Sequence, residues 1–496
     1  MHNLALPFWR ISREDPERLA VVAESQWSYG QAAAQASAVA QWLGPQARRV
    51  AILASRSAAA CLAVLGSCWA GATYIPLSLG WPEERLSQIL AQIEPDALLV
   101  DDRGQALLTP ALRAQCARTL HPLRDLSPVV ATTPRTVEPE WPAYVIFTSG
   151  TTGAPKGVII SAGAVAHLIQ CAQQAFPLTR QDRIGCNFEL SFDAAVFDMF
   201  LAWQAGASLH LVPPGQALAP HGFIQRQQLT MIVLAPSSLS FLRKLKALRP
   251  GSLPSLRWSL FGAEALPKES ALEWQAVAPN SRVYSLYGPT ENTVTSLLQP
   301  LTKPPTVTPQ RDTLALGRPL SGVEALVVDE AGARLPPGEV GELALQGPQL
   351  ASGYFQEVEL TRRRFPDLQG KRSYLTGDRA YQDEQGTFHH LGRTDHQVKV
   401  RGHRVELEEV ETCLRRASGQ SEVAAILWPD QPGQCNDIVA FVADSSAQPQ
   451  QLQERLRRTL PAYALPAQIH CLEGLPRTEN GKLDRPALFT WLQSRD

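Results

Sequence analysis

The chain is predicted to fold as an α/β protein, with a large N-terminal α/β part and a small α+β part at its C-terminus. Three observations lead there. Short apolar, β-branched runs alternate with helical patterns through the first four-fifths of the 496 residues. Such alternation builds sheets with helices on both faces. The last hundred residues switch to a helix, strand, helix order. A chain of this length also exceeds one ordinary domain, so two or more are expected.

The elements follow in order. Val50 to Leu53, Ala97 to Val100, Tyr144 to Phe147, Met231 to Leu234 and Trp258 to Phe261 are short apolar runs of strand length. Gln31 to Leu43 and Ala58 to Cys68 carry helical patterns between them. Ser57 to Pro82 lacks any charge. Gly66, Ser67, Gly71, Pro76 and Ser78 interrupt it, so it reads as a buried helix and a buried strand, not a membrane span. Thr132 to Pro142 is a Pro- and Thr-rich connector. Leu301 to Gln310 holds three prolines and reads as a loop. Near the end, Glu406 to Arg416 is an acidic-then-basic helix, the sense a helix dipole favours. Ile438 to Val442 is a strand and Gln451 to Thr459 a second helix.

Composition excludes several functions. A formal net charge of -1 gives no footprint for nucleic acid or an anionic membrane. Eight cysteines are scattered with no C-x-x-C pair, which suits reduced thiols rather than a disulfide framework or zinc site. Met1 to Pro7 lacks a basic segment and a long apolar one, so no signal peptide is expected and a cytoplasmic location is.

The densest chemistry lies in Tyr144-Val-Ile-Phe-Thr-Ser-Gly-Thr-Thr-Gly-Ala-Pro-Lys-Gly157. A strand runs into a loop with hydroxyls at Thr148, Ser149, Thr151 and Thr152. Gly150 and Gly153 expose backbone N–H groups, and Lys156 adds a charge. Such a loop is built to hold phosphate. It is not a P-loop, because Pro155 stands where that motif needs Gly before its Lys.

This loop resembles the phosphate-binding signature of the adenylate-forming ligases. The rest of the chain repeats the resemblance in family order. Trp27-Ser-Tyr29 and Ala70-Gly-Ala-Thr-Tyr-Ile-Pro-Leu77 precede the loop. Phe192-Asp-Ala-Ala-Val-Phe-Asp198, Tyr287-Gly-Pro-Thr-Glu291 and Tyr374-Leu-Thr-Gly-Asp378 follow it. Gly392-Arg-Thr-Asp395, Gln397-Val-Lys-Val-Arg-Gly-His-Arg404 and Leu475-Pro-Arg-Thr-Glu-Asn-Gly-Lys-Leu-Asp-Arg485 complete the set. The resemblance covers nearly the whole chain and is nearest to amino-acid-activating adenylation domains of nonribosomal peptide synthetases. It implies layered sheets in a core of residues 1–394, a mobile lid of 395–496, and a hinge at Asp395.

The resemblance also implies roles. Activation brings a carboxylate to the α-phosphate of ATP, so cations and donors must stand near both anions. The loop from Thr148 to Lys156, with Thr151, Thr152 and Gly153 at its centre, would grip the departing pyrophosphate. Glu291, beside Thr290, would hold Mg²⁺ through a hard oxygen ligand. Tyr287 would stack on adenine, Asp378 would bind the ribose hydroxyls, and Arg393 would assist. Lys482, projected by the Asn480-Gly481 turn, would neutralise charge in the transition state.

Asp193 marks the substrate class, since amino-acid-activating members pair this carboxylate with the α-ammonium. The implied pocket adds Ala194, Phe197, Ser237, Leu260, Gly262, Leu286, Val294 and Thr295. No carboxylate or second lysine is expected beside the substrate side chain, so a charged one would be desolvated at a cost. A neutral, apolar amino acid is expected: leucine-like, or a larger aliphatic or aromatic one. Three positions depart from the family: Ser78 stands for a common Asp, Ser352 for Arg, and Glu408 for Gly. The last lies where the thiol acceptor would be presented.

The expected reaction makes aminoacyl-AMP from an L-amino acid and ATP, then passes the aminoacyl group to the phosphopantetheine thiol of a separate carrier protein. Ligation to coenzyme A or a small amine, a D-alanyl carrier ligase, and a catalytically silent scaffold are the alternatives.

Overall fold

A computed structural model describes residues 3–116, 118–150, 155–429, 436–477 and 483–495. Two sheets with parallel centres make up most of the large part. The first has seven strands, running Gly353–Tyr354, Lys156–Ser161, Pro142–Thr148, Thr73–Leu77, Arg49–Leu53, Ala97–Val100 and Thr119–Leu120 from edge to edge. The second has nine, with Arg282–Tyr287, Trp258–Phe261, Met231–Leu234 and Arg183–Cys186 adjacent near its middle. Parallel strands buried on both faces read as continuous apolar runs. That is why Met231–Leu234 and Trp258–Phe261 fall on the expected residues.

Helices between the sheets supply the core. Ala58–Trp69 is buried along its whole length, as its uncharged sequence requires. Tyr29–Leu43 begins with a capping box in which Ser28 and Gln31 satisfy each other's backbone N–H groups. Asp193–Ala205 is buried from Ala195 to Trp203.

Residues 324–393 form a third, antiparallel sheet that the sequence pattern does not announce. Its strands are Glu324–Val328, Gly341–Gln346, Asp367–Leu368, Lys371–Gln382 and Phe388–Arg393. Lys371–Gln382 mixes charged and apolar residues and buries mainly its middle, so it lacks a continuous apolar run. The Leu301 to Gln310 loop contains one two-residue strand, Val307–Thr308.

The C-terminal part begins with a hairpin, Gln397–Val400 paired to His403–Glu406. Its two-residue turn is Arg401-Gly402, with φ of 51° and 83°. Two left-handed residues match the twist of the flanking strands, and Gly402 takes that conformation freely. Helix Leu407–Ser418 follows and packs on the three-stranded sheet of Val423–Trp428, Asp437–Ala443 and Gln468–Leu472. The second helix is Pro449–Leu456, starting earlier than expected with Pro at its first turn and stopping before Thr459. Among the described residues every cysteine is a free thiol, and no helix is long and apolar enough to cross a membrane.

Candidate functional site

A cavity of about 150 Å³ opens where the ends of both large sheets, the third sheet and the hairpin meet. Strand Pro142–Thr148 delivers Thr148 and Ser149 to its wall, at the strand's carboxyl end. The first turn of helix Asp193–Ala205 delivers Asp193, Ala194 and Phe197. Strand Arg282–Tyr287 brings Leu286 and Tyr287, and the segment after it brings Thr290 and Val294. Asp378 and Arg393 come from the third sheet, where they are direct partners across two strands.

Three buried polar atoms on residues of this wall lack a partner among the described residues: Asp193 Oδ2, Thr148 Oγ1 and Arg404 Nε. Buried polar atoms are ordinarily satisfied, so orphans lining a cavity point to a ligand. Burial pushes the Asp193 carboxyl up, the Thr290 side chain opposes that, and the nearby Glu291 charge adds to it.

Asp378 is the opposite case. Its carboxylate accepts from Tyr287 Oη at 2.5 Å and from Arg393 Nη1 at 2.8 Å, with His390 Nε2 at 3.2 Å. Burial would raise its pKa, but His390, Arg393 and Tyr287 together hold the carboxyl below the usual range. The Arg393 guanidinium crosses directly over Gly377, where a Cβ would come within 2.6 Å of it. Gly377 has φ of 76°, so this turn requires glycine twice over. Arg393 also donates to Asp395 at 2.6 and 2.9 Å, and Arg364 lies 3.6 Å from Asp395.

Glu291 is fully buried. Tyr354 Oη donates to its Oε1, and Arg404 Nη1 to its Oε2, both at 2.8 Å. Burial alone would raise the Glu291 pKa, but Arg404 and Lys156 overcome it and hold it at about 2. The donor is a hard oxygen ligand already facing a cation, which fits a divalent metal. Lys156 Nζ lies 3.4 Å from Glu406, a buried pair. Burial lowers the lysine to about 8, with Arg404 adding to it.

A pH test follows. Because Glu291 is depressed from 4.5 to about 2, its charged form contributes stability above pH 4.5 that is lost as pH falls through about 2. The shift is worth about 3 kcal/mol at 1.36 kcal/mol per unit. Glu291→Gln should therefore be less stable than the parent at pH 7, and the gap should close between pH ~4.5 and ~2 in denaturant titrations. A gap independent of pH would mean that the Glu291 charge contributes nothing to stability.

The implied pocket residues divide. Asp193, Ala194, Phe197, Gly262, Leu286 and Val294 line the cavity. Ser237, Leu260 and Thr295 are buried but not among its lining: the Ser237 N–H is tied to Glu264 at 2.8 Å, and the Thr295 hydroxyl to the Tyr287 carbonyl at 3.3 Å. Thr151, Thr152, Gly153 and Lys482 lie outside the described residues. Gly150 is buried beside Ser149, whose hydroxyl donates to the Arg404 carbonyl at 2.7 Å.

Three functional features were not expected. Lys399 lines the cavity, although no second lysine was expected near the substrate, and the Glu264 carboxylate, which accepts the Ser237 N–H, has the Lys399 charge near it. His403 also lines it, stacked on Tyr463 at 3.8 Å with Phe192 edge-on at 4.7 Å. Burial lowers this imidazole to about 4, so it is neutral. The third is Gln349, fully buried, whose amide donates to the carbonyls of Asn292, Thr293 and Thr295 at 3.3, 3.4 and 2.8 Å. It staples a segment where Thr293 and Val294 have φ of 52° and 68°, a conformation β-branched residues resist.

Residues 8–355 match the AMP-binding enzyme family, and residues 409–482 match the AMP-binding enzyme C-terminal domain. Tyrocidine synthase 2 of Brevibacillus parabrevis is 34% identical over 495 residues, 97% of this chain but 13% of that protein. AMB antimetabolite synthetase AmbB of Pseudomonas aeruginosa is 34% identical over 508 residues, 98% of this chain and 38% of that protein. The chain thus spans well under half of each. Among solved structures, the Vibrio cholerae adenylation domain AlmE, in complex with glycyl-adenosine-5'-phosphate, aligns with a TM-score of 0.89 at 30% identity, covering 99% of this chain and 98% of that one. Holo-PA1221, which contains adenylation and PCP domains and is bound to a vinylsulfonamide inhibitor, aligns at 0.85 and 27% identity, covering 99% and 84%.

Proposed function

We infer that this chain, which belongs to the AMP-binding enzyme family of adenylate-forming ligases, activates a neutral, apolar L-amino acid as its aminoacyl-AMP. The observation that carries the reading is a single cavity with two chemically distinct ends. At one end the unpartnered Asp193 oxygen suits an α-ammonium, and Phe197, Leu286 and Val294 form an apolar wall for the side chain; Lys399 lines the same cavity, where the charges of Asp378 and Glu264 answer its own. At the other, Asp378, Tyr287 and Arg393 form a rigid polar group suited to a ribose and its base. Ser149 lines the same cavity; behind its lining, Glu291 is paired with Arg404 and Lys156 with Glu406, suited to Mg²⁺ and phosphate. Mg²⁺ when bound would neutralise charge on the leaving phosphates.

The acyl acceptor follows the same reading: the phosphopantetheine thiol of a carrier protein. The pairing of adenylation and PCP domains in holo-PA1221 supports it. Residues 1–394 would form the adenylating core and 395–496 the lid that carries Lys482, with Asp395 at the joint. Glu408, whose Oε2 is buried without a partner among the described residues, sits beside the hairpin where the acceptor would arrive.

The test is amino-acid-dependent exchange of labelled pyrophosphate into ATP across the standard amino acids, glycine included, with Lys482→Ala as control. Exchange with leucine, a larger aliphatic or an aromatic amino acid, lost in the control, is the expected outcome. Exchange with glycine alone would reject the apolar pocket. No exchange with any acid, together with no ATP binding, would favour a silent scaffold.

A further inference from the structure

Gln349 stands behind the cavity wall, and the group that orients it stands further out. Its side chain is fully buried. The carbonyls of Asn292, Thr293 and Thr295 lie on one side of its amide, at 3.3, 3.4 and 2.8 Å. They require the NH₂ end to face them, because a flipped amide would set its oxygen against theirs. The amide oxygen is then aimed at His167, whose Nδ1 lies 3.1 Å away. An amide oxygen only accepts, so His167 carries a proton on Nδ1.

His167 belongs to helix Ala162–Ala175, which Ser161 caps through the Ala164 N–H. Its ring is confined from two other directions. Cys171, one turn further along the helix, places Sγ 3.9 and 3.8 Å from Nδ1 and Nε2, and its thiol donates to the Ser321 carbonyl at 3.3 Å. Beside Ser321, Gly322 has φ of 77°, and a Cβ there would come within 2.7 Å of His167 Nε2. The ring fills a space that only glycine leaves open.

We propose that His167 is a positioning residue for amino-acid selectivity: its Nδ1–H orients the Gln349 amide, and the amide holds the backbone that sets Val294 against the substrate side chain. This rests on the adenylation reading and deepens it. The backbone needs such a hold. Left-handed φ at Thr293 and Val294 persists only where the surroundings impose it. Gln349 does so from both ends, since its own carbonyl accepts from the Thr293 hydroxyl at 2.5 Å. Without an N–H at position 167, the amide oxygen is a buried acceptor with no donor. The amide turns, the three carbonyls lose their partner, and the segment relaxes. His167, Gln349 and Thr293 do not line the cavity, so the effect reaches the substrate through Val294.

The test is pyrophosphate exchange by the full chain with its preferred amino acid and with one a methylene smaller. His167→Phe keeps a ring but lacks the N–H. The ratio of the two kcat/KM values should fall roughly fivefold, toward indifference. The KM for the preferred amino acid should rise, while that for ATP holds, because Asp378 and Arg393 are fixed on another sheet. Slower turnover common to both amino acids cancels in the ratio. His167→Asn should restore the ratio, since its side-chain N–H stands close to the place of Nδ1. Gln349→Ala should show the same loss, and the double variant with His167→Phe no more than Gln349→Ala alone, because both act through one bond. Melting curves report folding, and His167→Leu takes the place of His167→Phe if that variant does not fold. An unchanged ratio in the folded variant overturns the proposal, as do losses that add in the double variant or a His167→Asn variant no better than His167→Phe. If the parent exchanges and the ratio stays, adenylation stands and the positioning role falls. If the parent shows no amino-acid-dependent exchange, both fall.

Discussion

Asp193→Asn should lower kcat/KM for the amino acid by roughly a hundredfold or more while leaving the free protein as stable as the parent, or slightly more so. The two effects share one cause. In the free protein Asp193 holds a desolvated carboxylate with Oδ2 unpartnered, and burial raises its pKa. Removing that charge relieves a cost, because an unpaired buried charge is unfavourable. With substrate bound, the same charge faces an ammonium, and losing one member of a buried pair costs about 3 kcal/mol or more. The loss should appear in the KM for the amino acid, with ATP binding preserved. A melting temperature that falls while KM holds would make Asp193 a structural residue and remove the ammonium site.

Asp378→Asn should act in the reverse way. Here the free protein is already paired: Arg393, His390 and Tyr287 converge on the carboxylate. The amide cannot compensate Arg393, which would keep only Asp395. A loss of about 2–3 kcal/mol of stability is expected, below the full cost of breaking a buried pair because Asp395 remains. ATP and AMP affinity should fall together, since both carry the ribose, while magnesium pyrophosphate binding holds. The Asp378 carboxyl is depressed by its partners, so its contribution is present above the unfolded pKa near 4 and fades as pH falls below it. An Asn variant as stable as the parent at pH 7 would mean that this network does not stabilise the fold.

The features legible in the sequence are those with local causes. Met231–Leu234 and Trp258–Phe261 are apolar throughout because both faces are covered, and their ends coincide with the ends of the runs. The helix expected from Gln31 to Leu43 starts two residues earlier, at Tyr29, where Ser28 and Gln31 form its capping box. Asp193, Phe197, Leu286 and Val294 line the cavity. Ser237 at the start of a helix, Leu260 two positions before Gly262, and Thr295 next to Val294 all stand behind the wall. Such an offset depends on how strands twist past one another, which spacing does not encode. Lys156 and Glu406 are separated by 250 positions, Arg404 and Glu291 by 113. No local pattern reports pairings of that range. Gln349 was invisible for a related reason: a polar residue in a loop reads as solvated until its partners are known.

The staple at Gln349 limits how the pocket can change. Val294 forms part of the apolar wall on left-handed backbone, and Glu291 stands three positions before it on the turn Thr290–Asn292; the Gln349 amide ties the carbonyls of Asn292, Thr293 and Thr295 around them. Selectivity and the phosphate machinery are therefore mechanically linked at this point. Replacing Val294 to admit a different side chain displaces the backbone that aims Glu291, so altered preference there comes with slower turnover. Phe197, on a buried helix, and Leu286, on a central strand, have no such tie. A lineage drifting toward a new amino acid, or an engineer seeking one, has its freer positions at those two residues.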